Sequence, residues 1–133
     1  MFELPVAQGL MLCELYIVDA ATTNVTLVNQ FSRMKSDTFP TDPKKFAVYA
    51  TLADGQGDVA MRLEVAQLST AGAIWQTVNR LRIPDRLTTV RYAVTLTGVI
   101  FPEPGEYEIV LYAGDEPIAH TGLRLLDTTG ATP

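Results

Sequence analysis

Apolar residues along this chain alternate with polar ones and do not recur at helical spacing. In the stretch TTVRYAVTLTGVIF, Val90, Tyr92, Val94 and Leu96 share one face, with Arg91, Ala93, Thr95 and Thr97 on the other. Phe46, Val48, Ala50 and Leu52 alternate in the same way, as do Val59, Met61, Leu63 and Val65 against Arg62 and Glu64. A period of two is the signature of strands with one face toward a core and one toward water. Turn residues punctuate these segments at short intervals, at 21–24, 39–45, 53–58, 69–72, 83–86, 101–106 and 113–117. About eight strands fit between them: 10–18, 25–33, 45–52, 58–68, 73–82, 88–100, 106–112 and 117–126. The spacing describes an all-β chain, an antiparallel sandwich or barrel, and with the tyrosine corner at Tyr107 the expected fold is an immunoglobulin-like β-sandwich. Phe46, Val48, Leu63, Val65, Tyr92, Val94, Ile109 and Leu111 should share its core. The 133 residues read as one domain, ordered over about 10–126, with residues 1–8 and 127–133 frayed.

The first strand departs from the alternation. In GLMLCELYIV, Met11, Cys13, Leu15 and Ile17 lie on one side and Leu10, Leu12, Tyr16 and Val18 on the other, with only Glu14 polar. Two-sided apolar strands are expected where both faces are covered. A two-layer sandwich needs one such face, so Leu10, Leu12, Tyr16 and Val18 are the expected interface with a partner protein or a second copy. Two intrachain covers compete with that reading, the N-terminal MFELPVA and the 35–44 loop.

The late stretch IFPEPGEYEIVLYAGDEPIA reads as a rigid corner followed by a hairpin. Two prolines and Gly105 make the corner, and Tyr107 sits where sandwich domains place a tyrosine that bonds back to backbone. Glu103, Glu106, Asp115 and Glu116 then fall at strand ends, where water solvates them. This stretch, with LMLCE and NVTLVNQFSRMKSDTFP upstream, resembles a family of small bacterial β-sandwich proteins classed only as a domain of unknown function. The resemblance spans about residues 10–126. It implies a fold and a bacterial origin and brings no catalytic residue with it.

Composition narrows the function classes. Fifteen acidic against ten basic residues give a net charge of −5, and the scattered arginines and lysines form no phosphate-binding stripe, so nucleic acid is not the expected partner. The start has no basic segment ahead of an apolar core and no apolar run spans a membrane, which predicts a cytoplasmic protein. A single cysteine, Cys13, has no internal partner for a disulfide.

Candidate chemistry is sparse. The lone histidine, His120, alternates with residues that place it toward solvent, and a Cys13–His120 pair would need a thiol activated on an apolar strand. Zinc would require more Cys and His than the chain contains. Oxygen ligands for calcium exist in Asp37, Asp42, Asp54, Asp58, Asp85 and Asp115, though their spacing matches neither an EF-hand nor a C2-type site. Trp75, Tyr49 and Tyr112 are candidates for a sugar platform, while a tryptophan between sheets is the commoner arrangement. The expectation is a non-enzymatic interaction module without a cofactor. Its alternative is a ligand-binding module, for a carbohydrate or for calcium-dependent membrane contact.

Overall fold

A computed structural model describes residues 3–129. Every regular element among them is a β-strand: β1 (Val6–Val18), β2 (Val25–Gln30), β3 (Arg33–Ser36), β4 (Lys44–Ala53), β5 (Gly57–Gln67), β6 (Gly72–Ile83), β7 (Val90–Val99), β8 (Gly105–Ala113) and β9 (Glu116–Asp127). They form a four-stranded sheet in the order β2-β1-β4-β7 and a five-stranded sheet in the order β3-β9-β8-β5-β6. No helix among the described residues is long and apolar enough to cross a membrane.

One core lies between the sheets. From the first sheet it receives Leu12, Phe46, Val48, Ala50, Leu52, Tyr92 and Leu96; from the second, Val59, Met61, Leu63, Val65, Tyr107, Ile109, Leu111, Leu123 and Leu125. Of the eight residues expected there, Val94 alone is half-buried, packed against the cluster from its edge. The alternation therefore reported facing correctly wherever one side of a strand was polar.

Two expectations about the strands need correction. The segment 25–33 is broken: β2 ends at Gln30, and the chain crosses to the other sheet as β3. Asn29, with φ of 53°, takes the left-handed conformation just before the crossing. β3 then runs parallel to β9, with Arg33 opposite Arg124 and Ser36 opposite Asp127. The arrangement is therefore not purely antiparallel, because a strand arriving by crossover is not bound to reverse direction as a hairpin strand is. Residues 1–8 are also less frayed than expected. Val6, Ala7 and Gln8 belong to β1 and pair with β4, and Glu3 exchanges backbone hydrogen bonds with Gln56. Of the expected frayed ends, residues 1–2 and 130–133 lie outside the described residues.

The corner before β8 has the expected bond. Tyr107 donates its hydroxyl hydrogen to the Glu103 carbonyl at 2.6 Å and accepts from the Glu103 N–H at 3.2 Å. The ring of Phe101 meets Tyr107 edge-on, with centroids 4.9 Å apart. Thr41 ties the long loop to this corner, its Oγ1 accepting from the Phe101 N–H at 3.1 Å and its own N–H donating to the Phe101 carbonyl at 3.0 Å. That end of the loop is structural, and Thr41 is buried.

Tyr92, like the Arg62 Nε, is an exception to the pairing of buried polar groups among the described residues. Its hydroxyl is buried with no hydrogen-bond partner among the described residues, and burial pushes its pKa up to about 12. Tyr92→Phe removes an unpaired polar group and keeps the ring, so it is expected to stabilise the fold by about 1 kcal/mol. The ordinary tyrosine value is about 10, and the folded value lies above it. Stability is therefore intact below about pH 10 and is lost as pH climbs toward 12. Urea titrations across that window should show a smaller alkaline loss for the Phe variant; identical profiles would show that Tyr92 does not carry the effect.

Candidate interaction face

The four residues expected at an interface do not form one exposed face. Leu12 is 2% exposed and belongs to the shared core, Leu10 packs against that core, Tyr16 is half-buried, and Val18 is exposed. The outward residues of β1 are Met11, Leu15 and Ile17, at 38%, 42% and 53% exposure. Both sides of this strand are apolar, so a period of two carries no information about which side meets the core. Pairing decides it. Leu12 lies opposite Val48, an inward residue of β4, which leaves Met11 opposite Tyr49 and Cys13 opposite Ala47 on the outer side. Gly9 takes a φ of +81° where the register slips between Gln8 and Leu10, a bulge that glycine adopts without the strain a side chain would bring.

Cys13 and Ala47 are both 0% exposed, yet neither belongs to the cluster between the sheets. Both lie on the outer side of the sheet, which is strongly bent. Arg91 lies opposite Thr51, and Thr51 opposite Gln8, a strand's length away from the β1–β2 turn. Nevertheless, Arg91 Nη1 donates to the Thr23 carbonyl in that turn at 3.0 Å. Only a strongly curled sheet brings these two groups together, and this sheet is a curled half-barrel. Directly paired residues share a face, so Arg91 emerges on the side of Thr51, Tyr49, Ala47 and Cys13. On that side an apolar row runs along β1, with Met11, Leu15 and Ile17 exposed beside the buried Cys13 and Val28 opposite Leu15 on β2.

Burial pushes the Cys13 thiol up from its ordinary value, against a smaller opposing effect of a hydrogen bond with the Val28 backbone. A thiol so placed stays protonated and is a packing group rather than a nucleophile. His120 lies on the outer face of the other sheet, so the core separates it from Cys13 and the two form no dyad.

That second outer face carries several charged pairs, with Val78 exposed among them. His120 Nδ1 is 3.3 Å from Glu108 Oε2, Arg124 is 3.9 Å from Glu106, and Arg82 is 3.5 Å from Asp58. Arg62 lies 4.1 Å over the Tyr112 ring, and its Nε is 3.0 Å from Glu64 Oε2, although its N–H is not aimed at that oxygen. Glu108 is an acid beside His120 that the sequence did not reveal, because it arrives by strand register: Glu108 pairs with Gly122, and His120 with Val110. The histidine side chain is 72% exposed, and exposed pairs of this kind contribute little. His120→Ala is expected to change stability by less than about 0.5 kcal/mol in chemical denaturation. A loss of several kcal/mol would show a buried role.

The remaining candidates disperse. Trp75 packs against the core from β6, Tyr112 lies beneath Arg62, and Tyr49 is on the outer side of β4, so the three rings share no surface. Of the candidate acids, Asp85 accepts from the Leu87 N–H and the Thr88 hydroxyl and Asp58 pairs with Arg82, while Asp54 and Asp85 line one open cavity together with Glu3 and Arg86. Among the described residues, no three His, Cys, Asp or Glu side chains come together in a group that would hold a metal ion.

Two sheets around one core, one a curled half-barrel with an apolar row on the outer side of β1 and the other with charged pairs on its outer face, define an all-β protein with two unlike surfaces. The chain belongs to a family of unknown function, DUF6941, whose model matches residues 8–126. No curated protein matches it.

Proposed function

We propose that this protein is a cytoplasmic, non-enzymatic interaction module, a single immunoglobulin-like sandwich that binds another protein or a second copy of itself. The observation that carries the reading is the apolar row of β1: Met11, Leu15 and Ile17 stay exposed on one face, beside Cys13 and Ala47, which are already dry. Apolar side chains gathered on one exposed surface are a common mark of a binding site. The corner bond of Tyr107 to Glu103 supports the immunoglobulin-like assignment, since that tyrosine device recurs in such sandwiches. The charged outer face of the other sheet suits solvent.

Leu15→Glu tests the reading. Leu15 is 42% exposed, so a carboxylate there remains hydrated and the variant is expected to fold with a melting temperature within a few degrees of wild type. Wild type should bind an apolar fluorescent dye or self-associate through the β1 row in sedimentation, and the variant should lose both. A wild type that does neither would overturn the reading.

A further inference from the structure

We infer that two copies of this chain join edge to edge through β6, in antiparallel register about Val78, so that their five-stranded sheets become one. The pairing uses a surface apart from the β1 row and goes beyond the proposed interaction role. Three observations carry it.

The first is the edge. β6 ends the five-stranded sheet, and among the described residues no backbone hydrogen bond outside the β5 ladder reaches residues 75–81. It is the longest strand at the edge of either sheet, ahead of β2, β3 and β7. It holds no proline, lysine or acid, and residues 75–81 pair with β5 without a bulge. Edges that must stay unpaired are usually blunted by such devices, so the outward N–H and C=O groups of β6 are open to one more strand.

The second is the thinning of the core. On β5, Val59, Met61, Leu63 and Val65 are buried. Their partners on β6 share the same face, yet Trp75, Thr77 and Leu81 are half-buried and Asn79 is exposed. β7, which ends the opposite sheet, barely reaches β6, so this strip of the inner side is only partly covered. On the outer side Val78 stands 60% exposed.

The third is that β6 complements itself, which names the occupant. A two-fold axis through Val78 keeps the inner sides of both copies on one side of the joined sheet. Val78 then meets Val78, Trp75 meets Leu81 of the second copy, Thr77 meets Asn79, and Gln76 meets Arg80. Shifting the axis by one residue sets Trp75 against Asn79 or Val78 against Arg80. Charge fits the same register. β6 carries its two cations, Arg80 and Arg82, toward one end. The pairing lays Arg80 against the neutral Gln76, with Glu64 next in the row on β5. The two Arg80 backbones then lie about 14 Å apart, four residues of strand. That exceeds a screening length of about 8 Å in physiological salt, so the cations do not oppose association.

Cysteine cross-linking tests the register. Directly opposed residues of antiparallel strands have Cα atoms about 4.5–5.5 Å apart, within disulfide reach. The native Cys13 is buried and does not compete. Under mild oxidation Val78→Cys should give a disulfide-linked dimer. Gln76→Cys or Arg80→Cys alone should not, whereas a mixture of the two should. Wild type should pass from monomer to dimer in sedimentation as its concentration rises. Val78→Glu, folded because the site is exposed, should weaken the dimer at least about tenfold, since two carboxylates would face each other. A wild type that stays monomeric at millimolar concentration would overturn the inference, as would cross-linking of Gln76→Cys as ready as that of Val78→Cys. So would loss of the dimer in Leu15→Glu, which would place self-association on β1 and leave the interaction reading standing. Dye binding that Leu15→Glu leaves unchanged, with Val78→Cys still cross-linking, would instead remove the β1 reading and keep the β6 pairing.

Discussion

Leu12→Glu is expected to leave little folded protein at room temperature. Leu12 is 2% exposed, opposite Val48 on β4, inside the core that the two sheets share. The substitution removes a buried leucine, worth roughly 2–3 kcal/mol. It also sets an unpaired carboxyl among apolar side chains, which costs several kcal/mol more whether the group stays charged or takes up a proton. A total stability of about 5–15 kcal/mol is usual for a domain, so the sum is comparable to everything the fold has. Far-UV circular dichroism and urea titration should show loss of the cooperative transition. Leu15→Glu, three residues along the same strand, should keep it. A folded, monomeric Leu12→Glu protein would mean that Leu12 belongs to an interface after all, and that β1 faces the core with its other side.

Phe101→Ala carries the second-largest expected effect, a loss of about 3–5 kcal/mol, as for other buried aromatic truncations. Phe101 is 0% exposed, touches Tyr107 edge-on, and holds both backbone bonds to Thr41. Removing the ring leaves a cavity at the point where the long loop, the corner and the start of β8 converge. The midpoint of urea unfolding should fall accordingly, with an unchanged slope if the corner loosens without exposing new surface in the folded state. A change below about 1 kcal/mol would show that the loop collapses into the space and that the corner is held by Tyr107 and its backbone bonds alone.

Strands with one polar side were legible from the residues. β4, β5, β7 and β8 each show buried residues at alternate positions where the sequence puts Phe, Val, Leu, Ile or Tyr. The corner was legible for a related reason: proline and glycine restrict or free the backbone locally, and the Tyr107 bond spans only four residues. The break between β2 and β3 was not. NQFSR contains no proline or glycine, and the chain leaves the sheet at an asparagine in a left-handed conformation that local propensity permits without demanding.

For the interaction face, the sequence alone determined that β1 has two apolar sides and that the chain lacks the histidines and cysteines for common catalytic or zinc chemistry. It also determined the acidic balance and the alternation that builds a core between sheets. Tertiary structure decided which side of β1 meets that core, because facing depends on the partner strand's register and both sides of β1 satisfy the pattern equally. The tertiary structure alone set Glu108 beside His120 and Arg91 against Thr23, and buried Cys13 and Ala47 on the outer side of the first sheet. These are contacts between residues far apart in the chain. Hydrophobic periodicity records whether a side chain is dry, whereas pairing, curl and the meeting of distant groups come from how whole strands are laid together.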